Sequence, residues 1–435
     1  MSAMTIICNI IGQTMPIITD INQAQSVLES YIFHKADSAR NNLDRMGKLM
    51  DFLGNPQEKM KVIHIAGTSG KTSTAYFTAA LLKAAGYSTG LTVSPHISKP
   101  SERAQIDLSA LDDKEYCGKL SQFIDIVESS NIKPSYFELL VAFAFWIFSQ
   151  RGVEYAVIEV GLGGLIDATN VINRPDKTCI ITDIGIDHIK KLGDTIPKIS
   201  LQKSGIIQPG NAVFMHRQDQ AIVDIVNQQS NAKNAQLTVV DTDLANEFQQ
   251  LDLPMFQKRN LHLAAQAVNY VIDRDHHTEL SAQNILAAAG VHIPARMESV
   301  RAQNKLIVLD GSHNEQKIGA LVESMAQAYP NRSISILFAI GISEKYNLLD
   351  KMKLLRGLSD KIVLTSFDRE QSGAKISIDP NVLSEFAKEA GFKTIIIEKH
   401  ADRALGILLN HTDDIGLVTG SFFLVSQIRP LVLGE

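Results

Sequence analysis

A seven-residue turn, Gly67-Thr-Ser-Gly-Lys-Thr-Ser73, limits what this chain can fold into more than any other stretch. It lies between the β-branched run Lys61-Val-Ile-His-Ile-Ala66 and a helix-period segment from Lys71 to Ala85 that Gly86 closes. A buried strand feeding a helix through a glycine-rich turn is a unit of parallel α/β sheets. In that setting the glycines let backbone N–H groups close on phosphate oxygens, and the helix N-terminus adds a favourable dipole. Lys71 would then reach the β- and γ-phosphates of ATP, and the Thr72 hydroxyl would ligate Mg²⁺. Gly67, Thr68, Ser69, Gly70 and Ser73 complete the cradle. The alternative is a glycine-rich turn with a solvated lysine. Only Thr68 and Ser69 separate the two glycines, a shorter loop than the general phosphate-binding motif and unlike that of GTPases.

The same alternation continues to the C-terminus. Tyr155–Val160 and Thr178–Asp183 read as strands, and the apolar segment Phe137–Phe148 is too short to span a bilayer and reads as a core helix. A second series of strands follows: Leu306–Asp310, Ser333–Phe338, Lys361–Thr365, Thr394–Ile397 and Gly416–Thr419. Pro294 marks a boundary ahead of it. The expected class is α/β: a large P-loop nucleotide-binding domain with a mostly parallel sheet over residues 15–293, then a smaller C-terminal Rossmann-like α/β domain over 297–435. Residues 1–14 carry no charge and read as a loose extension, with Met15 as an alternative start.

Composition narrows the function. At 435 residues the chain is too long for one ordinary core, and 45% apolar with 20% charged residues excludes general disorder. A net charge of −5 argues against a nucleic-acid footprint or a basic membrane face. Cys8, Cys117 and Cys179 are too few and too scattered for a disulfide framework or a metal pair, which fits a reducing cytoplasm. Glu159 is a carboxylate inside an apolar strand, near the end where α/β sheets place ligands. Burying it alone is costly, so it should be metal-bound or paired with an arginine or backbone N–H. His188 follows another strand end, where a structural role and a metal role both remain open. No nucleophile elbow or triad is visible.

At this point the chain resembles a known family. Its P-loop is similar to that of the Mur ligase superfamily, and the rest resembles the folylpolyglutamate synthase/dihydrofolate synthase branch. The resemblance runs in order through Leu43-Asp-Arg-Met46, Ser94-Pro-His96 with Glu102-Arg103, Tyr136-Phe-Glu138, Glu159-Val-Gly-Leu-Gly-Gly164 with Asp167-Ala-Thr-Asn170, and Gly185-Ile-Asp-His188. Lys203-Ser-Gly-Ile206, Pro294-Ala-Arg296, Asp310-Gly-Ser-His-Asn314 and Val418-Thr-Gly-Ser421 continue it. It implies a first Mg²⁺ held by Ser94, Glu159 and His188. It implies a carbamylated Lys203 as an anion beside the magnesium ions, chemistry that a partly buried, neutral lysine favours. It further implies Arg296 on the γ-phosphate from the interdomain linker, Asp310 on the ribose, His313 in the same loop and Asn260 near the adenine. Tyr136, Phe137 and Asp167 are expected at the acceptor. Several positions depart from the family pattern: Gln202 stands where Glu usually precedes the lysine, Leu263 where a second Asn belongs, and Thr72 and the loop Ile97-Ser-Lys-Pro-Ser101 differ from the commonest spelling.

The implied reaction is ATP-dependent addition of L-glutamate to a folate-type carboxylate, tetrahydrofolate polyglutamate or dihydropteroate or both, through an acyl phosphate. A muramyl-peptide-type paralogue with another acid acceptor is the nearest alternative, although the 66 residues ahead of Gly67 are too few for a nucleotide-sugar domain. A P-loop kinase or nucleotide-gated regulator would bind ATP without forming an amide. The family implies a cytoplasmic monomer with no membrane or nucleic-acid partner.

Overall fold

The computed structural model describes residues 18–33, 39–241, 243–369 and 375–434. The expected extension at 1–14, Met15 and Cys8 lie outside the described residues.

The apolar, β-branched runs do become strands, and they form two main sheets. In the first, β1 (Lys61–Ala66), β2 (Thr89–Thr92), β3 (Gln105–Ile106), β4 (Ser109–Ala110), β5 (Tyr155–Glu159), β6 (Thr178–Ile181), β7 (Ala212–His216) and β8 (Gln236–Val240) lie in the order β4-β3-β2-β5-β1-β6-β7-β8. Strands β2, β5, β1, β6, β7 and β8 pair in parallel, while β3 and β4 add an antiparallel edge. Strand β1 is central, with Ile65 opposite both Glu159 and Ile180. The chain winds to one side of β1 through β2 and β5, then to the other through β6, so a crevice opens at the carboxyl ends of β5, β1 and β6.

Both faces of this sheet are covered, as parallel strands require. The helix Tyr136–Arg151 carries the Phe137–Phe148 segment into the core on one face, where Phe143, Phe145 and Phe148 are fully buried. The P-loop helix Lys71–Ala84 and the long helix Met255–His276 pack on the other. Leu263, at the position where an adenine-contacting Asn was expected, is wholly inside that core. Among the described residues no helix is long and apolar enough to cross a membrane. Cys117 and Cys179 are buried free thiols.

The second sheet holds β9 (Glu298–Ala302), β10 (Lys305–Leu309), β11 (Ile334–Phe338), β12 (Lys361–Leu364), β15 (Thr394–Ile397) and β16 (Ile415–Thr419), in the order β15-β12-β11-β16-β10-β9. Only the β9–β10 pair is antiparallel. A small hairpin, β13 (Asp368–Arg369) with β14 (Lys375–Ile376), lies outside it. The sequence-expected strands Tyr155–Val160 and Thr178–Asp183 stop at Glu159 and Ile181. Val160 and Thr182 still donate to the Ile65 and Ala66 carbonyls of β1, and the chain turns into the crevice loops beyond them.

Packing under β2 is tight enough to test. A Cβ added at Gly90 would meet the Phe148 ring at 2.7–2.9 Å. Gly90→Ala should therefore cost about 1–3 kcal/mol, the usual penalty for overpacking a core. The check is a denaturant midpoint, and an unchanged midpoint would show that Phe148 can move aside freely.

Candidate active site

The turn after β1 is held by contacts that only glycine permits at two positions. Gly67 has φ +155° and a Cβ there would lie 1.8 Å from the Thr182 hydroxyl oxygen. Gly70 has φ +90° and faces the Asn260 amide oxygen at 2.7 Å from the same imaginary atom. Asn260 is thus buried behind the loop, with His216 Nε2 3.4 Å from its Oδ1, and supports the turn from below. The N–H groups of Thr68 and Ser69 both donate to the Asp183 carbonyl, at 2.8 and 3.2 Å. The Thr68 hydroxyl is 3.0 Å from the Gly185 carbonyl and 3.1 Å from its N–H. These two N–H groups serve the loop itself, contrary to the expectation that they face phosphate. The donors left for an anion are those of the first helical turn, which have no intrahelical acceptor.

Two lysines converge on one carbonyl. Lys71 Nζ donates to the Gly67 oxygen at 3.0 Å and Lys203 Nζ to the same oxygen at 2.7 Å. Lys203 lies in the last turn of the helix Ile196–Ser204 and is only 3% exposed. Burial, with Lys71 beside it, pushes its ammonium well below the usual lysine range. An ordinary surface lysine is excluded.

Glu159 lies at the centre of a second cluster. It is 3% exposed, and its Oε1 accepts from the Thr72 hydroxyl at 2.9 Å. Its Oε2 accepts from the Ser94 backbone N–H at 3.1 Å. Arg296 reaches across from the linker, donating through Nη2 to the Thr72 oxygen at 3.0 Å, with its guanidinium 4.3 Å from the centre of the Phe422 ring. Burial raises the Glu159 carboxyl above the ordinary range, and Lys71, the Ser94 N–H, Thr72 and Arg296 only partly oppose this. A hydroxyl and a carboxylate 2.9 Å apart are hard oxygen donors of the kind Mg²⁺ takes, and a cation there would keep Glu159 ionised.

Other expected residues are placed differently. His188 has φ +47°, is 43% exposed at its side chain and sits 3.7 Å from Asp187. No hydrogen bond or ion pair joins it to Glu159 among the described residues. Asp167 and Asp310 are turned inward. The Asp167 carboxylate accepts from the Leu162 and Thr169 N–H groups and the Thr169 hydroxyl, which in turn meets His64 of β1 at 2.8 Å. The Asp310 carboxylate accepts from Met297 N–H at 3.0 Å and Ser312 N–H at 2.8 Å. Each organises its own loop. Phe137 is half-buried with its ring against the Gly161 backbone, and Tyr136 is buried beside Arg103. Arg45 makes a two-pronged bond to Glu138, at 2.8 and 2.9 Å, which fixes the start of the helix Tyr136–Arg151. His313 donates from Nδ1 to the Gly311 carbonyl at 2.8 Å.

Residues 65–292 match the Mur ligase middle domain family. The chain is 29% identical over 414 residues to the dihydrofolate synthetase of Saccharomyces cerevisiae, covering 89% of this chain and 96% of that protein. It is 29% identical over 416 residues to the dihydrofolate synthase/folylpolyglutamate synthase of Bacillus subtilis, covering 89% and 94%. The structure superposes on Mycobacterium tuberculosis folylpolyglutamate synthase complexed with ADP and AMPPCP with a TM-score of 0.81 at 26% identity, over 95% of this chain and 98% of that one. This chain belongs to the folylpolyglutamate synthase/dihydrofolate synthase family of Mur ligases. It is an ATP-dependent acid–amino-acid ligase.

Sequence reading of the ligase missed Gln316 and Lys317, which the second sheet brings to the P-loop; Ser69 donates to Gln316 Oε1 at 2.9 Å. Their one signal was a lysine in the first turn of a helix, where cations are unfavourable. The central carboxylate gives a direct test. Glu159→Gln keeps the shape but removes the charge that holds a hard cation, so turnover should fall about 10²-fold and the Mg²⁺ requirement rise. Unchanged activity and metal titration would make Glu159 a purely structural carboxylate.

Proposed function

We propose that this ligase joins L-glutamate to the free carboxylate of a folate-type acid: tetrahydrofolate and its polyglutamates, dihydropteroate, or both. The observation that carries the reading is the Glu159–Thr72–Arg296 cluster, because it joins the P-loop helix of one sheet to the linker of the other at the place where phosphate is transferred. A carboxylate resists attack by an amine, since a second negative charge would build on it. Its oxygen therefore attacks the γ-phosphorus of ATP, the bond to the β-γ bridging oxygen breaks, and ADP leaves. The amine of glutamate then attacks the acyl phosphate, loses a proton, and phosphate departs as the amide forms.

For such a sequence the protein needs to position the reactants and neutralise charge more than it needs a nucleophile. Lys71 and Arg296 supply fixed cations around the transferred group. Magnesium, when bound, would be held by Thr72 and Glu159 together with Ser94 and His188, and would supply Lewis-acid neutralisation of phosphate charge. The half-buried Phe137 face over Gly161 suits a flat pterin, with Tyr136 and the Asp167 turn shaping its wall. Asp310 and Asn260 serve nucleotide binding indirectly, by holding the linker and the P-loop. His313 is held in the same loop as Asp310 by its bond to the Gly311 carbonyl.

Burial lowers the pKa of the Lys203 amine, with Lys71 beside it, and so favours the neutral form that reacts with CO₂. Its carbamylation is part of this proposal, giving an anion beside Lys71. We also place the ligase in the cytoplasm as a monomer, for which a single mass in light scattering at micromolar concentration is the check.

The deciding experiment offers a panel of acceptors with ATP, Mg²⁺ and labelled glutamate and reads product mass. Glutamate-dependent ADP release with a matching mass gain on a folate-type acceptor supports the reading. Phosphate transfer or hydrolysis that ignores glutamate would favour a kinase-like or regulatory protein. Mass gain only on an unrelated acid would indicate a divergent ligase. Lys71→Ala should lose at least about 10²-fold in turnover, the scale of one preorganised donor. Near-normal amide synthesis by the folded variant would remove the P-loop from the mechanism. Lys203→Ala should be folded and nearly inactive, with acetate restoring part of the activity and bicarbonate none. An active Lys203→Ala enzyme would refute the role of that lysine.

A further inference from the structure

Three basic side chains already crowd the P-loop: Lys71 and Lys203 on the Gly67 carbonyl, and Arg296 on Thr72. A fourth, Lys317, arrives from the second sheet. It lies in the first turn of the helix Glu315–Ala328, whose N-cap Asn314 accepts from the Lys317 N–H at 2.9 Å. The start of this helix is seated on the P-loop. Gln316 takes the Ser69 hydroxyl, and its side chain fills the space over Gly185, where a Cβ would lie 2.7 Å from its oxygen.

The surroundings of Lys317 do not pay for its charge. Its Nζ is 3.3 Å from His313 Nε2, a neutral nitrogen, because the ring donates through Nδ1 to Gly311. Among the described residues no carboxylate approaches its Nζ within the 4.0 Å of an ion pair. Asp187 and Glu344 are close enough to attract it, and with His313 they offer ligand atoms within 4.8 Å of one another, an arrangement that could hold a cation. The Asp187 Oδ1 atom is buried without a hydrogen-bond partner. The ammonium thus hovers beside a weak acidic pocket, at the positive end of a helix, facing Lys71 and Arg296. Burial, with those like charges, holds it down at about 8 against the pull of Asp187 and Glu344. Such a cluster of cations is unfavourable until an anion enters it.

We propose that Lys317 is a phosphate ligand delivered across the cleft, its ammonium binding the terminal phosphate of the nucleotide whose β- and γ-phosphates Lys71 reaches. The assignment rests on the ATP-dependent ligase reading. It makes the second sheet sensitive to the γ-phosphate: with ATP bound, Lys317 has an anion to hold, and after transfer and ADP formation it falls back towards Asp187 and Glu344. The helix Glu315–Ala328 then reports phosphate transfer to the sheet that carries it.

The test uses Lys317→Met and Lys317→Arg in the full chain, with ADP and the β,γ-methylene analogue of ATP titrated calorimetrically in Mg²⁺. Lys317→Met should weaken the analogue about 10- to 100-fold, the scale of a hydrogen bond to a charged group, and ADP far less. Lys317→Arg should keep most of the affinity. The melting temperature of the nucleotide-free protein should stay level or rise in Lys317→Met, because repulsion from Lys71 and Arg296 is relieved. Unchanged analogue binding would overturn the proposal. So would a lower nucleotide-free melting temperature with equal losses for both nucleotides, which would make Lys317 a structural tether. If Lys71→Ala loses the analogue while Lys317→Met keeps it, only this inference falls. If the unaltered protein binds neither nucleotide, the ligase reading falls and takes this one with it.

Discussion

The hydrogen bond from Thr72 to Glu159 is the contact on which the working end of this fold depends. Glu159 is the last residue of β5 and Thr72 opens the P-loop helix, so the bond fixes a strand end against a helix start. Ser94, after β2, donates to the other carboxylate oxygen, and Arg296, between the two sheets, donates to the hydroxyl. Four segments far apart in sequence therefore meet at two side chains. A buried carboxylate with one partner removed is a costly group, and this cost gives each of the four segments a defined position relative to the others.

The electrostatic consequence is an excess of positive charge. Lys71, Lys203, Lys317 and Arg296 surround the turn, and Glu159 is buried deeply enough that its own ionisation is disfavoured. Three of the four, Lys203, Lys317 and Arg296, are pushed down in pKa, first of all by burial. A site of this kind is strained when empty and relieved by a polyanion with its magnesium. The protein spends stability here on preorganisation, which is where a phosphoryl-transfer site needs it.

How much of this was legible in the sequence follows from which forces are local. The P-loop, its flanking strand and helix, and the buried helix over Phe137–Phe148 depend on periodicity and turn chemistry, and they stand where the pattern put them. Glu159 was legible because a lone carboxylate in an apolar strand must find a partner. Lys203 was placed by resemblance, and its burial shows the physical reason it is unusual. Asp167 and Asp310 sit in loops and Asn260 on the helix Met255–His276, but their polar atoms are taken up by N–H groups, by a hydroxyl and by the P-loop turn. A residue's position in a motif does not reveal whether its side chain faces the ligand or its own loop. The N–H groups of Thr68 and Ser69 were misread for the same reason, since their acceptor, Asp183, lies on a different strand's loop. Lys317 could not be read at all, because its meaning comes from a neighbour almost 250 positions away, a separation that Ser69 and Gln316 record directly.

The linker explains how such distant partners are kept in register. Ala295 and Met297 both adopt positive φ, at +55° and +50°, on either side of Arg296. Non-glycine residues there cost about 1–3 kcal/mol each and persist only where the surroundings over-determine them. The surroundings do so here. Ala295 N–H donates to Glu298, Met297 N–H to Asp310, and the Ala295 carbonyl accepts from Gly311 N–H. Arg429, from the last helix, grips the same Glu298 and also donates to Ser98 in the loop that follows Ser94. Ile97 of that loop is buried in the core of the second sheet. The Arg296 guanidinium is therefore aimed by a strained backbone clamped at both ends, and the loop that contributes the Ser94 N–H to Glu159 is clamped by the same helix. Any movement of one sheet against the other must shift the linker and the Ser94 loop together, so the geometry around Glu159 changes as a unit and not residue by residue.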